Sequence, residues 1–409
     1  MTGQRLSLTW PALCLAAAIM PILSLRAPLG VAPLFIIVGL AGVYDCWRFG
    51  YAKRIDRPVA MILAAAVVYC AITTFWAIDK TQTLRTSIVL AGEFTAGLCL
   101  LAASQAADDR QRLKVLHILA LALLVGSLLS LMIRFFPDLP HLLPQGWVRG
   151  NWAETMSRGV TIIALLLVPV CWVLWQNRRR TFAVILWLAG AAAISASHSL
   201  ASKLVLPVSS ILVFVFWAKP GPAARVTGVM VVLALLASLP LALRIPGPQA
   251  SYDMAPWLSG SSHHRMTIWH FSAENAAQNP IFGWALDAAR VIPGADDPVF
   301  YKRNIGNGQS AMVPEPQLPL HPHSAPLQIW LELGLIGITL ACALIWRDLA
   351  LVARQPRHQA AVTGTALMSG FIIASVSYGI WQSWWQGAIW ISVSLLTLIS
   401  APGSKSADA

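Results

Sequence analysis

Apolar runs close to 20 residues long recur from one end of this chain to the other. Twelve are readable, at 8–25, 28–47, 58–78, 86–105, 115–136, 157–176, 181–198, 201–217, 226–244, 324–346, 360–380 and 385–401. About 20 helical residues cover roughly 30 Å, the hydrocarbon thickness of a bilayer. Runs of that length predict membrane-spanning helices. Composition agrees, because only 11% of the 409 residues are charged, against about 25% in soluble domains. The first run is too long for the apolar part of a signal peptide and lacks an A-x-A-type cleavage site, so it reads as a span. The runs 181–198 and 201–217 are nearly continuous, and a re-entrant pair is the alternative there. The expected fold is an all-α polytopic membrane protein of about 12 transmembrane helices. Residues 1–244 would hold nine spans and 324–409 three spans and a cytoplasmic tail. Residues 245–323 would form a large, partly helical loop between spans nine and ten, of a length that usually marks function.

Charge sets the expected orientation. Basic clusters fall between alternate pairs of runs: Arg48, Lys53, Arg54 and Arg57, then Arg110, Arg112 and Lys114, then Arg178, Arg179 and Arg180, then Lys219 and Arg225, and last Arg347, Arg354 and Arg357. Positive residues mark the cytoplasmic side, so both termini are expected inside and the 245–323 loop outside. The net charge of +12 is mostly this topological signal. Neither zinc-finger spacing nor a basic–aromatic RNA motif is present, and no nucleic-acid partner is implied. Six cysteines (Cys14, Cys46, Cys70, Cys99, Cys171 and Cys342) lie in the apolar runs and none in the long loop. An outer compartment would permit disulfides there.

Within the loop, the stretch 261–280, "SSHHRMTIWHFSAENAAQNP", reads as a helix capped by Ser261 or Ser262 and ended by Asn279–Pro280. "PGADDP" and "NIGNGQ" read as turns. Several cations open runs on the expected outer side, among them Arg85, Arg158 and Lys203. Singly, each is explained by snorkelling to headgroups. As a set with Arg149, Arg265, Arg290 and others they suggest an anion at that face, since guanidinium forks match diphosphate oxygens. His263, His264, His270, His321 and His323 have no zinc-ligand spacing, and a metal-free mechanism is preferred. Glu93, inside the fourth run, is expected to pair with Arg158 or Arg85. Trp381, Trp384 and Trp385 are expected in an interfacial aromatic belt.

The run "HHRMTIW…NPIFGWA…HPHSAPLQIWLELGLIG" resembles the signature region of the O-antigen ligase and polymerase superfamily. That pattern has Arg-x3-Trp (here Arg265 and Trp269), Asn-Pro-x-x-Gly (Asn279, Pro280, Gly283), and a His-x-His run into a helix with an internal Glu (His321, His323, Glu332). "TFWAIDKTQTLRTS" and "SRGVTIIALLLVP" are similar too. Two positions depart: Ser324 stands where Asn is usual, and Ala285 where Gly is frequent. Ser324 is expected to cap the helix that follows. A third segment, 195–203, lacks an Arg that many relatives carry, with Lys203 or His198 as substitutes.

The resemblance implies a multi-pass glycosyltransferase of the bacterial inner membrane, active on its periplasmic side. It would move a glycan from undecaprenyl diphosphate to the outer-core sugar of lipid A-core, with no cofactor, metal or nucleotide sugar implied. His323 is then the candidate catalytic base, being suited to activate a sugar hydroxyl. Arg265, Arg158, Arg85, Arg149, Lys203, His321 and Trp269 are the candidate substrate-binding residues, the cations stabilising the diphosphate leaving group. A polymerase of the same superfamily would use the same residues with a second lipid-linked glycan as acceptor. A lipid-linked oligosaccharide flippase is the rival of another class, but no paired halves are visible.

Overall fold

The computed structural model describes residues 7–136, 152–306 and 309–401. Nine helices precede the long loop: α1 (Thr9–Arg26), α2 (Val31–Phe49), α3 (Arg57–Ile72), α4 (Lys80–Ser104), α5 (Asp109–Phe135), α6 (Trp152–Gln176), α7 (Arg180–Ala196), α8 (Leu200–Ala218) and α9 (Pro220–Ala242). The loop contributes α10 (Pro248–Met254) and α11 (Gly260–Gln278), and α12 (Ala325–Val352), α13 (Arg357–Val376) and α14 (Ser383–Ser400) complete the bundle. Each of the twelve apolar runs becomes a helix, and the chain is an all-α polytopic membrane protein. Ten helices are long and apolar enough to cross a bilayer. Two of the twelve runs fall outside that set: α7, with 17 residues, and the Trp- and Ser-rich α14. Runs seven and eight are separate helices, parted by extended backbone at Ser197 and by Ser199, whose side chain caps α8.

The boundaries follow from side-chain caps, which satisfy N–H groups that a helix start leaves open. Asp56, Asp79 and Asp108 cap α3, α4 and α5, the last in a reciprocal capping box with Gln111. Ser259 caps α11, just ahead of the serines read from the sequence. Ser324 stands at the start of α12, but its hydroxyl makes no cap hydrogen bond. Pro326, in the first turn, lacks one of the N–H groups such a cap would serve. α6 runs through the middle of the bundle and supplies much of its main apolar core. At one end of the bundle Arg347 grips the Asp56 carboxylate through two donors (3.0 and 2.5 Å), tying α12 to α3.

The loop also holds an antiparallel hairpin, β1 (Pro298–Gly306) with β2 (Gln309–Pro316). Sequence reading anticipated turns here, not strands. Pro298, Pro314 and Pro316 argue against strands inside a sheet, yet both strands of a two-stranded ribbon are edges, where proline is tolerated.

The feature that organises the outer half is a break inside α12. Gly334 adopts φ 59°, ψ −155° and interrupts the helix. Backbone groups freed in a bilayer need partners from the protein. The segment 280–285 supplies them: Trp284 N–H donates to Leu331 O, Ala285 N–H to Glu332 O, and Leu335 N–H to Pro280 O, at 2.8–2.9 Å. Tyr69 on α3 donates its hydroxyl toward the Phe282 and Leu333 carbonyls, and the Trp76 indole donates to Gly283 O. Contact is backbone to backbone. A Cβ on Gly283 (φ 69°) would stand 2.3 Å from Glu332 O, and one on Gly334 2.5 Å from Ile281 O. The Asn-Pro-x-x-Gly motif is thus the plug for a broken helix. Ala285 carries φ 92°, a backbone conformation that favours glycine.

Gly283→Ala and Gly334→Ala should therefore each destabilise the protein by at least ~2 kcal/mol, since left-handed strain adds to a collision with rigid backbone. Thermal unfolding in detergent, compared with Gly221→Ala, where nothing crowds the site, checks this. Equal melting temperatures for the three variants would contradict the plug.

Candidate active site

The residues ahead of α12 cannot be helical, because prolines at 319, 322 and 326 hold the entry extended. His323 takes φ 52°, an uncommon backbone state for a branched ring side chain and one often found at functional sites. Three contacts hold it. The His323 N–H donates to His321 Nδ1 at 3.2 Å, the Trp269 indole N–H donates to Pro322 O at 3.0 Å, and His323 Nδ1 lies 2.6 Å from Ser377 O. A carbonyl only accepts, so His323 Nδ1 carries the proton. The lone pair of the neutral ring is then on Nε2. His321 accepts on Nδ1 and carries its proton on Nε2. The two rings stand 4.2 Å apart between centroids.

Three arginines surround this pair. Burial pushes the His321 pKa down to about 3, helped by the charges of His323, Arg290, Arg158 and Arg265. Burial also lowers the His323 pKa, opposed by its bond to Ser377 O and reinforced by Arg265, His264 and Arg158. Arg265 comes from α11 and donates to Val376 O at 3.0 Å. Arg158 comes from the start of α6 and makes no hydrogen bond or ion pair to any described residue. Arg290, in the short turn Ala288–Arg290, donates to Asp287 Oδ1 at 2.8 Å. Asp287 is held in turn by Gln82 and Thr86 of α4.

One turn, the link between α13 and α14, touches all of these elements. Val376 O receives Arg265 and Ser377 O receives His323. Gly379 abuts the His321 ring, and an added Cβ would lie 3.0 Å from it. Ile380 N–H donates to Gln328 Oε1 at 3.0 Å. The Trp381 indole donates to Glu332 Oε2 at 2.5 Å, and Asp287 N–H donates to the same oxygen at 2.7 Å. Gln328 binds the other Glu332 oxygen at 3.0 Å. Glu332 is fully buried, sharing one carboxylate among α12, the plug segment and this turn. Between Ser377 and Gly379, the Tyr378 hydroxyl lies 3.0 Å from Thr161 Oγ1. Thr161 gives its proton to Ser157 O, so Tyr378 donates. Arg158 and Arg265 both act on Tyr378, although burial dominates and raises its pKa.

The structure thus brings His321, His323, Arg265, Arg158 and Trp269 together, with Trp269 bracing the histidine turn. Arg85 faces away on α4, in a groove with Lys80. Lys203 is exposed on α8, and Arg149 lies outside the described residues. Sequence reading placed Arg290 only among the general set of outer cations and missed the parts played by Tyr378 and the 376–381 turn. The only signal there was a short polar stretch between two apolar runs. Two further expectations are corrected. Trp384 and Trp385 are buried, stacked with Tyr378, because a polar turn beside the site must itself be packed; they form no interfacial belt with Trp381, which donates inward to Glu332. Glu93 pairs with neither Arg158 nor Arg85: it is on the side of α4 that faces α14, near Ser383. The loop histidines are separately engaged: His263 stacks on Tyr252, His264 bonds Pro316 O and His270 pairs with Glu274.

Comparison with known proteins adds a family. The family described as O-antigen ligase matches residues 185–342, a span that includes α11, the plug, the histidine turn and the break in α12. Both comparisons support the O-antigen ligase superfamily. The second of them finds proteins named as polysaccharide ligases. One from Rickettsia conorii is 26% identical over 339 residues, 81% of this chain and 77% of the relative. Another from Rickettsia felis is 24% identical over 375 residues, 88% and 87% of the two chains. A third, from Rickettsia typhi, is 28% identical over 247 residues, 60% and 58%. The matched residues include His321, His323, Arg265 and Arg290 of the cluster, while Arg158 and the 376–381 turn lie outside them.

A pH dependence follows. A histidine accepts a proton only when neutral, so with His323 as the proposed base activity is expected above its pKa and should be lost as pH falls through it. Burial lowers that pKa, so the acid limb of glycan transfer should have its midpoint below the ordinary histidine value of about 6.5. A pH–rate profile on purified protein measures this. A midpoint at or above that value would contradict the buried, neutral ring.

Proposed function

We propose that this chain transfers a glycan from undecaprenyl diphosphate to the outer-core sugar of lipid A-core, at the periplasmic face of the bacterial inner membrane. The observation that carries the reading is His323 Nε2, left as an acceptor by the Nδ1–Ser377 bond and near Arg265 and Arg158, neither of which pairs with an acid among the described residues. A base beside fixed cations suits displacement of a lipid diphosphate by a hydroxyl.

The acceptor hydroxyl oxygen attacks the anomeric carbon of the donor's first sugar, and its proton goes to His323 Nε2. The carbon–oxygen bond to the diphosphate breaks, and the electron pair leaves with the diphosphate. Arg265 and Arg158 take up its growing charge, with Arg290 behind them. Trp269, His321 and the 376–381 turn hold the base. The residue set serves a polymerase equally, but the relatives' names are those of ligases, which favours transfer to lipid A-core.

Arg265→Ala and Arg158→Ala should each lower turnover far more than Lys302→Ala, by ~2.7–4 kcal/mol of barrier for a lost contact to a developing oxyanion. Arg265→Lys should restore only part, because the fork geometry is lost. Deleting the gene should leave lipid A-core without attached chains while undecaprenyl-linked polymer accumulates. Core carrying a single repeat unit would point to the polymerase instead, and lipid-linked single repeats held on the cytoplasmic side to a flippase.

A further inference from the structure

We propose that the groove at the outer ends of α3 and α4 binds the phosphorylated lipid anchor of the glycan acceptor; this rests on the transfer reading above. The groove has a volume of about 480 Å³, and Lys80, Arg85, Thr74, Leu84, Ile88 and Val89 line it. Its lining is ordered along the helix. Lys80 stands at the first turn of α4 and Arg85 follows a turn later. Ile88 and Val89 continue down α4, and at 1.5 Å per residue Val89 lies ~6 Å deeper than Arg85. Cations above an aliphatic wall are the complement of a phosphate above acyl chains. Neither cation makes an ion pair with a described residue. Two acids beside α4 have other partners: Asp79 caps the helix and Asp287 pairs with Arg290.

Two phosphate-bearing lipids meet in the proposed reaction, and the geometry separates them. The donor's diphosphate is bonded to the reacting carbon, so it must lie against His323 and the arginines that act on it. Gln82, Thr83 and Thr86 face inward from α4, onto Leu286 and Asp287. At 100° per residue, Thr81, Leu84, Arg85 and Ile88 occupy the opposite face. The groove therefore opens on the side of α4 turned away from Leu286 and Asp287, and not onto the histidine turn. An acceptor has the opposite arrangement. Its attacking hydroxyl is on a saccharide, several sugars from the phosphates of its lipid. A glycolipid seated in the groove could lay its saccharide across the start of α4 toward His323 while its phosphates stay with Lys80 and Arg85.

The test uses the full chain in phosphatidylcholine nanodiscs, with diphosphoryl lipid A and its dephosphorylated form as probes. The wild-type protein should bind the phosphorylated form at least roughly tenfold more tightly, the scale of a charge-assisted contact. Lys80→Gln with Arg85→Gln should abolish that preference, and Lys80→Arg with Arg85→Lys should keep it. Equal binding of the two probes by the wild type would overturn the proposal. So would equally tight binding of phosphatidylglycerol, which would make the groove a site for bulk anionic lipid. So would a Gln pair that weakens binding of a polyprenyl diphosphate and leaves lipid A unaffected. The two readings fail differently: lipid A binding that needs the pair, without any transfer to lipid A-core, supports the groove and removes the ligase; transfer whose acceptor KM ignores the pair removes the groove alone.

Discussion

A helix broken inside a bilayer must have its freed backbone groups answered by protein, and the rest of this site depends on how that is done. Gly334 opens α12, and the segment 280–285 closes the gap with backbone donors and acceptors. The plug fixes the end of α11, and so the depth at which Arg265 and Trp269 are presented. It also delivers Asp287 N–H to Glu332 and Arg290 to the neighbourhood of the histidines. Gly283 and Gly334 permit this because no side chain fits at either crossing.

A second constraint acts from the opposite side. Val376, Ser377, Gly379, Ile380 and Trp381 each meet a different part of the site, mostly through main-chain atoms. Main-chain contacts fix distances without depending on side-chain rotamers. The consequence for chemistry is tautomer control: Ser377 O holds the proton on His323 Nδ1 and leaves Nε2 to accept. Burial, reinforced by Arg265 and Arg158, lowers the pKa of both rings and so favours the neutral form a base requires.

The bundle was legible in the sequence because bilayer thickness imposes a length on every span, and all twelve apolar runs became helices. His321, His323, Arg265 and Trp269 were legible through a motif, and Arg158 through an unexpected cation at a span start. What the sequence concealed was long-range and carried by backbone. Nothing local marks Ser377 O as the partner of a ring 54 residues earlier, or the plug as the complement of a helix break. Trp381, Trp384 and Trp385 read as an interfacial cluster because amphipathic rings beside a turn usually are one; here the turn is packed against the site. The hairpin was hidden by its prolines. Arg85 and Lys203 illustrate a further limit: a cation at a span end reveals its depth, not the helix face it occupies.

The account's central claim is that His323 Nε2 takes the acceptor's proton. The direct measurement is glycan transfer by purified His323→Ala, supplied with a polyprenyl-diphosphate-linked donor and lipid A-core, with donor binding measured on the same sample. The account predicts that transfer is lost while the donor still binds, because the arginines that hold the diphosphate are untouched. Transfer at the wild-type rate by that variant would contradict it.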